Sequence, residues 1–303
     1  MPRLEDWIEN LRDPRAPLLS VAYDTGVPRA TLSRPTAAHG AAAERGTGAG
    51  SSATAGAGRE PVVVMIHGIA SSSATFHYLE PLVSKTHRVI AIDLLGFGGS
   101  PRPEHAEYTL DEHVAALAHT IRSLHLEHPF VLVGHSLGTL IASRYAATHE
   151  SHIDKLVLVS PPVYLSPNEI GDPRVRQRVS GYLQAYQFFR QNKDFTIAHA
   201  AIVSKLLPVE HVMEITEENW DAFVKSLEHC IESQTVISDL AQVDRPVEVI
   251  YGRLDEFLVP GNLAIIEKMR NVTTHVVNVS DHMIRPRMAR VVAAAIESGA
   301  PAV

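Results

Sequence analysis

Only one cysteine, Cys230, occurs in 303 residues. An intramolecular disulfide is therefore excluded, and a lone thiol fits a reducing compartment. A secretory leader is not expected, because Arg3, Glu5 and Asp6 stand where its apolar core would lie. No apolar run approaches the roughly 20 residues needed to span a bilayer. These absences lead us to expect a cytoplasmic protein without a membrane span. A basic excess is missing too. The formal charge is −7, so there is no positive field to hold nucleic acid or anionic lipid. Metal-ligand spacing is also missing, in spite of 17 histidines. His149 and His152 lie three apart, as do His125 and His128, but neither pair joins a third ligand, and no His-Glu-x-x-His occurs. We read the histidines as solvated surface side chains and expect no metal and no cofactor.

What is present is an ordinary globular composition, 45% hydrophobic and 20% charged. The length suits one large α/β domain or one domain with an insertion. Leu4 to Leu11 reads as a short amphipathic helix and Leu18 to Tyr23 as a strand. Between Thr36 and Arg59, 15 of 24 residues are Ala or Gly. Such a segment buries too little apolar surface to offset its ordering entropy, so 36–59 is expected to be a flexible insertion.

From Pro61 onward strands and helices alternate. Val62 to Ile66, Arg88 to Asp93, Phe130 to Val133 and Leu156 to Ser160 are short apolar runs. They fit strands covered on both faces. Ala74 to Ser84 can form a helix, and Leu110 to Leu126 carries apolar residues at helical spacing. The alternation stops after Pro161-Pro162. Residues 163–239 show helical periodicity and an aromatic stripe (Tyr182, Tyr186, Phe188, Phe189, Trp220, Phe223), read as internal packing and pocket lining. The α/β pattern then returns with Val247 to Tyr251, Leu263 to Met269, His275 to Val279 and a helix near Met288 to Ile296. The expected architecture is a mostly parallel central sheet flanked by helices, with an inserted helical cap. The expected division is 1–162 and 240–303 for the core and 163–239 for the cap.

One motif carries the chemistry. Val131 to Val133 runs into Gly134-His135-Ser136-Leu137-Gly138, and an Ala-rich helical segment follows. A strand, Gly-x-Ser-x-Gly and a helix form the context of a nucleophile elbow. The turn is so tight that the residues flanking the serine can carry almost no side chain. A serine hydroxyl needs a base, and the base needs an orienting acid. In an open parallel sheet these groups belong at the carboxyl ends of strands. Asp255 follows the Val247 to Tyr251 strand, with Glu256 as its nearest competitor. His282 follows the His275 to Val279 strand, while His275 lies within it and reads as structural. The order Ser136, Asp255, His282 is that of nucleophile, acid and base. Two backbone donors should stabilise an oxyanion: the N–H of Leu137 and that of Ile69, in the loop after Val62 to Ile66. His67 reads as a brace for that loop. Asp93 to Ser100 contains Gly-x-Gly without the full dinucleotide spacing, and Pro101 and Pro103 break any phosphate-binding helix, so it reads as a shaping turn.

Taken together, His67-Gly68, Asp93 to Ser100, Gly134 to Gly138, Gly252 to Pro260 and His282 resemble the successive signatures of the α/β-hydrolase fold family, over about Pro61 to Ile296. The resemblance implies a serine hydrolase with a helical cap, acting on a small-molecule carboxylic ester through an acyl-enzyme. Carbon–carbon bond hydrolysis and perhydrolysis on the same three residues are the alternatives, and a non-catalytic ligand receptor is a third. Two departures stand out: the 36–59 insertion is long, and Asp281 precedes the base where a small residue is common.

Overall fold

The computed structural model describes residues 16–26, 61–164, 171–210 and 212–298. The expected Leu4 to Leu11 helix and the 36–59 insertion lie outside them. Seven strands form one sheet: β1 (Val21–Asp24), β2 (Val62–Ile66), β3 (Arg88–Ile92), β4 (Phe130–His135), β5 (Ile153–Val159), β6 (Val247–Gly252) and β7 (Val272–Val277). Their spatial order is β1-β3-β2-β4-β5-β6-β7. Only β1 runs antiparallel, against β3, and the other pairs are parallel.

The uninterrupted apolar runs follow from this layering. Successive strand side chains point to opposite faces. Val64, Ile66, Ile90, Ile92, Leu132 and Leu158 enter one apolar layer. Their neighbours Val63, Met65, Val89, Ala91, Val131 and Val157 enter the other. Both faces are covered, so neither set can be polar.

The nine helices of the described residues are α1 (Glu80–Val83), α2 (Leu110–Ser123), α3 (Leu137–Thr148), α4 (Pro173–Gln191), α5 (Lys193–Leu206), α6 (Trp220–Ser226), α7 (Val236–Leu240), α8 (Pro260–Ile266) and α9 (Pro286–Glu297). Helix α2 starts at a capping box, in which Thr109 accepts from the Glu112 amide and Glu112 accepts from the Thr109 amide. Its Val114, Leu117 and Ile121 are buried, at the spacing read from the sequence. Leu79 and Val83, with Met288, Val292 and Ile296 of α9, seal the opposite face. Between β5 and β6 the described residues contain helices and no strand. No helix among them is long and apolar enough to cross a membrane.

Several boundaries differ from the sequence reading. The helix expected over Ala74 to Ser84 is split into a 3-10 turn at Ser73–Phe76 and the short α1. Pro81 has no N–H to return to the His77 carbonyl, so the helix does not run unbroken through it, and the proline sits instead in the first turn of α1. Helix α8 begins at Pro260, a residue suited to the first helical turn, and ends at Ile266 rather than Met269. Strand β7 spans 272–277, not 275–279. It has ended before Val279, which takes φ +55° and is 75% exposed, a conformation no strand accommodates.

Two readings of side-chain environment need correction. The histidines are not uniformly solvated: His67, His87, His113 and His135 are buried. They sit where loops and helices close over the sheet, a placement that sequence spacing does not encode. Phe188 and Phe189 contact each other edge to face but remain exposed, unlike Tyr186, Trp220 and Phe223 on the same stripe.

Candidate active site

Ser136 joins β4 to α3 with φ +52° and ψ −120°. A non-glycine residue at positive φ outside the ordinary left-handed well stores strain. The surroundings hold it there. Its N–H donates to the Val159 carbonyl on β5 at 3.0 Å. A Cβ at Gly134 would strike the Gly138 carbonyl, and one at Gly138 would lie 2.5 Å from the His67 carbonyl oxygen. Both flanking glycines are thus required by backbone contacts, as the motif implied. A Cβ on Gly68 would lie 2.9 Å from the Ser136 Cβ, so the loop after β2 passes directly over the serine.

That loop is braced by His67. Its Nδ1 lies 2.7 Å from the Gly68 carbonyl and its Nε2 accepts the Leu94 N–H at 2.9 Å. The ring is therefore the neutral Nδ1–H tautomer, and burial holds its pKa below the usual value against the raising effect of Asp93. The brace reading of His67 fits these bonds. Asp93 completes the corner: Oδ1 accepts the Ser73 N–H and Oδ2 the Gly99 N–H, each at 2.8 Å. The Asp93 to Ser100 turn thus shapes the loop above it. The Ile69 and Leu137 amides make no backbone hydrogen bond among the described residues. Leu137 is the first residue of α3, where an N–H has no acceptor within the helix.

The acid and base candidates meet. His282 Nδ1 lies 3.0 and 2.9 Å from the two carboxylate oxygens of Asp255. The Asp255 side chain is fully buried and that of His282 is 11% exposed. With Nδ1–H given to Asp255, Nε2 is left to accept a proton. Glu256, the competing carboxylate, is exposed. Asp255 Oδ1 also accepts the Phe257 N–H at 3.0 Å, and the Phe257 ring stands edge-on to His282 at 4.8 Å. The acid and base loops are packed backbone to backbone: Leu254 N–H donates to the Ser280 carbonyl at 2.9 Å. A Cβ at Gly252 would strike that same carbonyl. Asp281 pairs with Arg285 Nε at 2.8 Å.

Ser136 is joined to this pair through His135. The His135 Nε2–H donates to the His282 carbonyl at 2.9 Å, and the two rings are 5.2 Å apart. Burial, with a contribution from His282, pushes the His135 pKa down to about 3, so the ring stays neutral. No hydrogen bond joins Ser136 Oγ to His282 among the described residues. The sequence reading missed His135. Its place inside the motif was visible, but its partner lies 147 positions away. His275, read as structural, pairs with Glu248 at 2.7 Å. No group of three His, Cys, Asp or Glu side chains able to hold a metal ion occurs among the described residues.

Comparison with known proteins shows the family to which the chain belongs. A sequence model of the α/β hydrolase fold matches residues 61–285. The chain is 41% identical over 121 residues to the probable lysophospholipase BODYGUARD 3 of Arabidopsis thaliana, an alignment covering 39% of this chain and 24% of that protein. It therefore spans about a quarter of the length of such relatives. The pimeloyl-[acyl-carrier protein] methyl ester esterase of Aeromonas hydrophila is 28% identical over 228 residues, covering 70% of this chain and 84% of that one. An α/β hydrolase fold protein from Burkholderia ambifaria superposes with a TM-score of 0.60 at 21% identity, over 79% of this chain and 91% of that chain. The chain belongs to the α/β hydrolase fold family.

Proposed function

We propose that the protein is a serine hydrolase that cleaves a small carboxylic ester through an acyl-enzyme on Ser136. The observation that carries this reading is the strained Ser136 at the head of α3, one residue from the His135 that grips the Asp255-oriented His282. In the first half-reaction Ser136 Oγ attacks the ester carbonyl carbon while His282 Nε2 takes its proton. Negative charge builds on the carbonyl oxygen, and the N–H groups of Ile69 and Leu137 receive it. Oxyanion donors of this kind contribute about 10²–10³ in turnover each. The C–O bond then breaks, and the alcohol leaves with the proton from His282. In the second half, His282 deprotonates water, which attacks the acyl carbon and restores the serine. Asp255 holds the imidazole in the productive tautomer throughout. The helices of residues 163–239 form the cap, and their chemistry sets the substrate. The methyl ester esterase among the relatives makes acyl esters the first class to assay.

Fluorophosphonate labelling tests the reading. The wild-type protein should be labelled, Ser136→Ala should not, and ester turnover in Ser136→Ala should fall by about 10³ or more. Unchanged labelling of Ser136→Ala would remove the assignment. Rates across p-nitrophenyl esters of increasing acyl length, beside a vinylogous diketone, separate ester from carbon–carbon cleavage. Turnover of the diketone alone would refute the ester reading.

A further inference from the structure

Three tyrosines converge on the loop that carries Asp255, and the reaction described above does not use them. Tyr164 follows β5, while Tyr182 and Tyr186 lie on α4. The Tyr164 hydroxyl donates to the Phe257 carbonyl at 2.8 Å. It also lies 2.8 Å from the Tyr186 hydroxyl. A phenol has one proton, so Tyr164 is the acceptor in the second bond and Tyr186 the donor. Tyr182 donates to the Glu256 carbonyl, and its ring stacks on Tyr164 with centroids 5.7 Å apart. Tyr164 and Tyr186 are both buried. Burial pushes the Tyr186 phenol up to about 12 and Tyr164 higher still, so both hydroxyls keep their protons.

Phe257 is where this network meets the acid and the base. Its N–H is given to Asp255 Oδ1, its ring abuts His282, and its carbonyl is taken by Tyr164. One residue therefore touches both members of the pair while its backbone is pinned from the inserted helices. The Tyr164 backbone is fixed in turn. Gln234 accepts its N–H at 2.9 Å and donates to the Pro162 carbonyl at 2.7 Å, while Asn262 donates to the Val163 carbonyl at 3.0 Å.

We propose that Tyr164 and Tyr186 are positioning residues that set the alignment of Asp255 with His282 by holding the Phe257 carbonyl. This rests on the serine-hydrolase reading given above. A helix outside the α/β core thus enforces the geometry of the acid and base, so seating of α4 and readiness of the base are one event. A misplacement of about 1 Å in such a pair lowers turnover by up to about 10²-fold.

The experiment compares Tyr164→Phe, Tyr186→Phe and the double variant in full-length protein, with Gln187→Ala, an exposed α4 change, as control. Two readouts are used: the rate of Ser136 labelling by a fluorophosphonate, and kcat and KM on the best ester found. Tyr164→Phe keeps the ring and loses the hydroxyl. It should lower kcat and labelling rate by roughly ten-fold or more, with KM within about two-fold. Tyr186→Phe should give a smaller loss of the same kind. The double variant should match Tyr164→Phe, because both hydroxyls act through one carbonyl. Gln187→Ala should match wild type. If Tyr164→Phe does not fold, Tyr186→Phe decides alone, since it removes the hydrogen bond that orients the Tyr164 hydroxyl towards the Phe257 carbonyl. Wild-type kcat and labelling rate in the folded variants, or a loss confined to KM, would overturn the positioning role while leaving the serine-hydrolase reading standing. A wild-type protein that no fluorophosphonate labels would overturn both.

Discussion

His135 donates a hydrogen bond from Nε2 to the backbone carbonyl of His282 at 2.9 Å. The residue before Ser136 thus holds the main chain of His282, the base in the proposed reaction. The bond is partly buried and its donor is neutral, so it acts as a positional tie rather than a proton carrier. His135→Ala should release the base loop and lower kcat/KM on an ester by roughly ten-fold or more. His135→Gln, which keeps an N–H donor, should recover part of that. Equal activity of the alanine and glutamine variants would show that the tie is irrelevant.

Gly252 is the second point where the two loops meet. A Cβ there would overlap the Ser280 carbonyl and lie 2.6 Å from that of Asp281. Backbone cannot yield as a flexible side chain does. Gly252→Ala should therefore cost about 1–3 kcal/mol of stability. It should also depress turnover more than its melting temperature predicts, because the displaced segment leads to His282. Thermal melts and kinetics on the same preparation measure both.

Buried histidines make the fold sensitive to acid. His113 and His135 have pKa values lowered by burial from 6.5 to about 3. Below pH 6.5 the unfolded chain takes up a proton at each ring while the native chain does not. Stability therefore falls with acid from 6.5 towards about 3. Each ring contributes a slope of about 1.4 kcal/mol per pH unit in that window. His113 is the cleaner probe, since its Nε2 meets only the Ser226 hydroxyl, at 3.0 Å. Urea unfolding of His113→Gln between about pH 6 and pH 4.5 should be less steep in pH by about that amount. An unchanged slope would show that His113 is not neutral and buried in solution.

Lys155 caps a helix from the middle of the sheet. From β5 its ammonium donates to the carbonyls of Ala295 at 2.8 Å, Ile296 at 3.2 Å and Ser298. These include the last carbonyls of α9, which have no partner within the helix. Lys155→Met keeps the stem and removes the donors. It should lower stability by about 1–3 kcal/mol, seen as an earlier urea midpoint, with ester kinetics unchanged.

The legible part of this protein was the part encoded locally. The β2 and β4 runs, the helical spacing of Leu110 to Leu126 and the glycines around Ser136 each express a constraint acting within a few residues. Chain order singled out Asp255 and His282, and the two side chains meet because strand ends in a parallel sheet face one rim. The burial of His113 and the exposure of Phe188 were not legible, since each depends on which helix lies opposite. Nor was the pairing of Asp281 with Arg285.

By itself the sequence determined an alternating strand–helix core, a serine on a forced turn, and the order of its candidate partners. Hydrophobic period and steric exclusion act over short spans and leave marks in the residue pattern. Only the tertiary structure decided that His135 bonds the His282 carbonyl, that Lys155 closes α9, and that Tyr164 and Tyr182 bond the Asp255 loop. These contacts join residues 70 or more positions apart, and which partners meet is set by how the layers pack, a three-dimensional fact that no local pattern records.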